Sequence, residues 1–132
     1  FYADDTARGF LHSHSYTGNA LACRAALAVL DIFRDDEVLA ANRIKAARWT
    51  ALAAALASHP QVRAFRQRGM IWAFEVETDR VDFARWCFAQ GLAREILLRP
   101  IGRTVYFMPP YVLTDAEFAL LVERTGEILD LA

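Results

Sequence analysis

The chain has 132 residues, 55% hydrophobic and 23% charged, with a formal net charge of −1. That length suits one hydrophobic core, and the balance is that of a globular chain, not a disordered one. No basic block points to nucleic acid, and no apolar run approaches the roughly 20 residues of a membrane-spanning helix.

Taken in order, residues 1–18 read as loop, with Asp4-Asp5-Thr6 as a turn or cap. The stretch His12-Ser13-His14-Ser15-Tyr16-Thr17-Gly18-Asn19 then crowds imidazoles, hydroxyls, a phenol and a carboxamide in front of a helix over 19–34. In one reading Asn19 or Ser15 is an ordinary N-cap, with the histidines in a loop. Alternatively, the side chains and the free first-turn N–H groups together form an anion site. Leu21, Ala25, Ala28, Val29 and Ile32 predict one apolar face on this helix. Arg34-Asp35-Asp36-Glu37 breaks it, and Asp35 or Asp36 is the expected cap of a second helix over 37–58. Val38, Leu39, Ala41, Ile44, Ala47, Leu52, Ala55 and Leu56 are its expected buried stripe. Pro60 stops it, leaving His59 as a solvated helix-end residue.

Strands are expected over 62–68 and 70–77, on either side of Gly69. A short helix over 79–90, closed by Gly91, should place Phe83, Trp86, Cys87 and Phe88 in the core. Leu92 to Leu98 leads into a strand ending near Arg99-Pro100; Gly102-Arg103 turns, and 104–108 returns as a strand. Thr114 and Glu117 have the spacing of a capping box, opening a helix with a seam of Phe118, Leu121, Val122, Thr125 and Ile128. Cys23 and Cys87 show no metal spacing and read as two buried free thiols of a reducing cytosol, with a disulfide as the alternative. The alternation of elements with short connections predicts an α/β sandwich, a small sheet covered by helices.

Few residues could do chemistry. The one lysine, Lys45, sits mid-helix among alanines and arginines and reads as a solubilising surface residue. Arg99 is permanently charged and can grip a carboxylate with two parallel hydrogen bonds, or else sit in a surface ion pair. Tyr106 is a pocket wall or a buried strand tyrosine; Pro109-Pro110 and His12 read as structural.

The run from Phe10 to Cys23 resembles the segment that follows the catalytic lysine in class III aminotransferases. The run from Leu98 to Tyr111 is similar to one branch of that class, which makes 7,8-diaminopelargonate in biotin biosynthesis. The resemblance implies the small C-terminal α/β domain of a fold-type-I enzyme dependent on pyridoxal 5'-phosphate (PLP). It is preceded by a short piece of the large domain, with 1–18 as the cofactor-phosphate loop and 19–132 as linking helix and small domain. It implies that His14 and Ser15 bind cofactor, Ser15 through the phosphate and from the neighbouring subunit of a homodimer. It implies that Ser13, Arg99 and Tyr106 bind substrate, with Arg99 holding the carboxylate of 7-keto-8-aminopelargonate, and that S-adenosylmethionine donates the amino group. Glycine stands at Ser13 in some relatives, and proline is common at Ala20. The Schiff-base lysine would then lie in a preceding segment, so the 132 residues alone supply no catalytic residue and are expected to be inactive. The whole enzyme is expected to be cytoplasmic, with no metal, nucleic acid or membrane partner. A different ω-amino acid aminotransferase, or a non-catalytic α/β binding module, are the alternatives.

Overall fold

A computed structural model describes residues 4–9 and 14–132, and the chain divides into two compact units, Phe1–Val38 and Leu39–Ala132. In the first unit, a 3-10 turn at Thr6–Arg8 starts where the Asp5 carboxylate accepts the Ala7 N–H at 2.9 Å. Helix α1, Ala20–Asp35, is capped by Asn19, whose side chain accepts the Ala22 N–H at 3.1 Å.

The apolar face that the spacing predicts on α1 is present, and none of the helix is buried: Leu21, Val29 and Ile32 are all exposed, with nothing packed over them among the described residues of this unit. Cys23, on the same helix, is therefore exposed, and only Cys87 is the buried thiol expected. Neither Asp35 nor Asp36 caps the next helix. Asp36 instead closes α1, donating its N–H to the Ile32 carbonyl, and Glu37 turns the chain with φ +47°.

The second unit carries helices α2, Val38–Leu52 (its first residue at the unit boundary), and α3, Ala54–Ala57. They are followed by strands β1, Val62–Arg68, and β2, Ile71–Val76, helix α4, Phe83–Leu92, strand β3, Thr104–Phe107, and helix α5, Asp115–Leu129. The three strands form an antiparallel sheet in the order β1-β2-β3. The β1–β2 hairpin turns on Gly69, φ +57°, and the tight turn bridged by Ile101 and Thr104 on Gly102, φ +59°, each in the first of two loop positions, the φ pattern of a type II′ turn. Against the expected regular alternation, β1 has a bulge: Ala64 and Phe65 oppose one residue, Phe74, and Ala64 takes φ +49°.

Trp72, Phe74 and Val76 of β2 and Val105 and Phe107 of β3 point to one buried face, which the helices cover. Trp49 of α2 stacks on Phe118 of α5 at 4.4 Å, and Trp72 meets both rings. A buried indole N–H needs an acceptor. Trp49 donates to Asp115 at 2.6 Å and Trp72 to the Thr50 hydroxyl at 2.9 Å. Of the predicted stripe, Leu56, now in α3, is buried, but α2 itself buries Ala46 and Trp49 instead, while Leu39 and Ile44 are exposed. Apolar residues surround this helix, so only the indole's need for a partner selects the face. The last helix follows its predicted seam, with Phe118, Val122, Thr125 and Ile128 buried and the Thr114–Glu117 capping box formed.

Residues 92–100 were expected to enter a strand, but α4 runs to Leu92 and 96–100 joins no ladder among the described residues. The alternation is kept, with Ile96 and Leu98 buried and Leu97 exposed, but the only pairing is the bridge of Ile101 to Thr104. Nor does Gly91 close α4 as a left-handed cap. It lies within the last turn, where a Cβ would come 3.0 Å from the Ile96 carbonyl oxygen. The left-handed position is Glu95, φ +60°, with Ile96 N–H bonded to Gly91 O and Glu95 N–H to Leu92 O, a Schellman motif. Trp86 is only half-buried and Phe88 is exposed, so of that aromatic group only Phe83 joins the core with Cys87. His59, expected in solvent, is instead tied to α5 through its Nε2, 3.1 Å from Asp130.

Two expectations follow. Glu95→Gly should raise stability in urea unfolding by about 1 kcal/mol, since a side chain at a left-handed position costs roughly that much. The Asp115 carboxyl is held below the usual carboxylate range, first by the Trp49 indole and then by Arg48; Glu117 is lowered by the Thr114 backbone N–H and hydroxyl. Because each folded pKa is depressed, this stabilisation is present at neutral pH and is lost as pH falls below about 4. Asp115→Asn should make the acid limb of a stability–pH profile shallower than that of the wild type.

Candidate functional site

Two places in the fold carry the predicted site residues, one in each unit. In the first, residues 14–19 form consecutive turns: Thr17 N–H bonds to His14 O at 2.9 Å and Asn19 N–H to Tyr16 O at 3.0 Å. The Thr17 hydroxyl accepts the His14 N–H, and the His14 and Tyr16 rings stack at 5.2 Å, 4° from parallel. Gly18, at φ +75°, lets the chain turn into α1. Ser15 is exposed on this loop. Ser13 and His12 lie outside the described residues.

The donors of this loop suit a phosphate. Ser15 offers a hydroxyl, and the N–H groups of Ala20 and Leu21 have no acceptor among the described residues, while that of Ala22 is taken by Asn19. No carboxylate occurs from His14 to Cys23. Neutral donors at the N-terminus of a 16-residue helix favour an anion through hydrogen bonding and the helix dipole. This loop can therefore hold the phosphate end of a cofactor such as PLP.

In the second unit, Arg99 and Tyr106 are brought together. They line a cleft of about 360 Å³ whose other walls include Leu97, Met108, Pro109, Pro110, Leu113 and Leu121. Tyr106 follows Val105 and precedes Phe107, both buried, so it faces the opposite side of the sheet from the core. Arg99 extends from the segment after α4, exposed on the same side of that segment as Leu97. Arg48, Arg63, Arg94 and Arg124 each face a carboxylate; Arg99 has no ion pair or side-chain hydrogen bond among the described residues. The cleft thus offers one permanent cation in a largely apolar surround, a setting for a carboxylate on an aliphatic chain.

One feature of this cleft and one beside it were missed in the sequence. Pro109 and Pro110, read as structural, form part of its wall. Lys45, read as a solubilising residue, is half-buried and donates to the carbonyls of Tyr111 and Leu113 at 2.5 and 3.3 Å. Its spacing of four residues from Trp49, over whose ring it lies at 5.3 Å, was the available signal. Among the described residues there is no metal-binding group of His, Cys, Asp or Glu, and no helix is long and apolar enough to cross a membrane.

The family model described as aminotransferase class-III matches residues 3–129. The adenosylmethionine-8-amino-7-oxononanoate aminotransferase of Helicobacter pylori is 41% identical, over 98% of this chain and 31% of its own length. The enzyme of the same name from Nitratidesulfovibrio vulgaris is 35% identical, over 92% of this chain and 24% of its own. The crystal structure of such an enzyme from Methanocaldococcus jannaschii superposes with a TM-score of 0.79 at 28% identity, covering 92% of this chain and 30% of that one. The chain thus spans a third or less of the length of these relatives.

Proposed function

The chain belongs to the class III aminotransferases, a PLP-dependent family, and from that premise we propose that it is the C-terminal part of a homodimeric cytoplasmic enzyme of biotin biosynthesis. That enzyme moves an amino group from S-adenosylmethionine to 7-keto-8-aminopelargonate, giving 7,8-diaminopelargonate. The observation that carries the reading is Arg99: a guanidinium with no ion pair among the described residues, in an apolar cleft, matching an acceptor whose carboxylate ends an aliphatic chain.

When bound, PLP supplies the electron sink that lets an amino group leave one substrate and join another. The residues of this chain bind and orient. Ser15 donates its hydroxyl to the cofactor phosphate, the N-terminus of α1 adds backbone donors, and His14 fixes the loop through its turn and its stack on Tyr16. Ser13, outside the described residues, is assigned to substrate on the family resemblance alone. Arg99 holds the remote carboxylate of the keto acid and so sets the register of its chain, while Tyr106 walls the cleft. Positioning of this kind is expressed in rate as well as in binding. Lys45 is committed to two carbonyl oxygens and does not carry the cofactor, so the Schiff-base lysine belongs to the rest of the enzyme.

In the complete enzyme, Arg99→Ala should lower the efficiency of the keto-acid half-reaction by ~100-fold, with little change in the half-reaction with S-adenosylmethionine. Rapid-mixing spectra of the cofactor follow the two separately. Equal losses in both would make Arg99 structural, and unchanged keto-acid kinetics would remove it from the site. Ser15→Ala should raise the cofactor dissociation constant about tenfold with the fold intact, one charge-assisted hydrogen bond being lost. Equilibrium dialysis measures this, and unaltered retention of PLP would sink the phosphate assignment.

A further inference from the structure

The segment that leaves β3 is poor in backbone donors. Pro109 and Pro110 have no N–H to give, and a turn bond runs from Leu113 N–H to Pro110 O at 3.1 Å. Yet Met108, Pro109, Pro110 and Leu113 make one wall of the Arg99 cleft. The fastening comes from outside: Lys45, on α2, reaches across 66 and 68 residues of sequence to donate to the carbonyls of Tyr111 and Leu113.

The ammonium is itself held. It lies over the Trp49 ring at 5.3 Å, and its charge acts on Asp115, the carboxylate that also takes the Trp49 indole N–H and the Arg48 guanidinium. Trp49 is fully buried, so the base of the clamp is as fixed as the core. Beyond Leu113, Thr114 is locked by its capping box with Glu117, so the wall is anchored at its far end too. A charged donor shared between two carbonyls is stronger than a neutral one, and Pro109 and Pro110 bring no N–H of their own to this stretch.

We propose that Lys45 is a positioning residue for the acceptor substrate: it does not touch the keto acid, but holds residues 108–113 so that the cleft keeps its shape around the chain anchored by Arg99. The inference rests on the reading of Arg99 as the carboxylate anchor. On that reading the clamp should matter for the keto acid, which lies along the wall, and not for the amino donor.

The test uses the complete enzyme with Lys45→Met, which keeps the aliphatic stem, Lys45→Arg, which keeps a cationic donor, Arg99→Ala, and the Lys45→Met/Arg99→Ala pair. Hydrogen–deuterium exchange over 108–114 reads the wall directly, and the two half-reactions read its consequence. Lys45→Met should speed exchange in that segment and raise the KM for the keto acid about tenfold, with kcat and the donor half-reaction changed less than about threefold. Lys45→Arg should recover most of the loss. In the double variant the two effects should combine to less than their product, because both act on one bound chain. Unchanged exchange in Lys45→Met overturns the clamp. Faster exchange with an unchanged keto-acid KM, while Arg99→Ala still raises it, overturns the positioning role and leaves the Arg99 reading standing. If Arg99→Ala has no keto-acid effect either, the Arg99 reading has failed and the inference falls with it. Equal damage to both half-reactions by both Lys45 variants, with a matching drop in thermal stability, makes Lys45 merely structural and overturns the proposal.

Discussion

The buried indole of Trp49 is the constraint on which the second unit depends. A fully buried N–H without an acceptor costs on the order of 1–3 kcal/mol, so the fold must bring it one. It brings Asp115, at the first position of α5, where the helix dipole already favours a negative charge. One carboxylate thereby sets the rotation of α2, the start of α5 and the place of Arg48. The rings of Trp72 and Phe118 pack on the same indole and carry the constraint into the sheet. Lys45 stands one turn before Trp49, so the rotation that satisfies the indole also points the ammonium at the carbonyls of Tyr111 and Leu113.

Elements with strong local chemistry were legible in the sequence. The Thr114–Glu117 box, the seam of α5, the two glycine turns and the α/β class all follow from rules that act over a few residues. The misses share a different cause. The face of α2 was misjudged because its apolar residues surround the helix, and the deciding interaction joins Trp49 to Asp115, 66 positions away. Gly91 looked like a helix cap, but the space it leaves is used by the approach of the Ile96 carbonyl, which no local pattern announces. The α1 stripe was read as apolar, and it is, though among the described residues of its unit nothing covers it.

For the site, the family resemblance, not residue chemistry alone, put Arg99 and Tyr106 on the substrate side. Arg99 and Tyr106 were selected as a pair, and they line one cleft although the segment carrying Arg99 joins no ladder. The cleft's apolar walls were not anticipated, since prolines and scattered leucines carry no chemical signature until the fold assembles them. The family match supports an aminotransferase, and the apolar character of the cleft agrees with an acceptor that presents a carboxylate at the end of a methylene chain. A cleft built to recognise only the groups around a reacting amine would have no need of an isolated cation among leucine, methionine and proline.

The most direct measurement changes the substrate instead of the protein. Replacing the carboxylate of the keto acid by a neutral amide removes the group that Arg99 is held to bind, while leaving the reacting carbonyl untouched. The account predicts that this change lowers kcat/KM by ~100-fold in the wild-type complete enzyme and by less than about threefold in Arg99→Ala, where the partner is already gone. An equal loss in both enzymes would show that the carboxylate is recognised elsewhere and would contradict the assignment of this cleft.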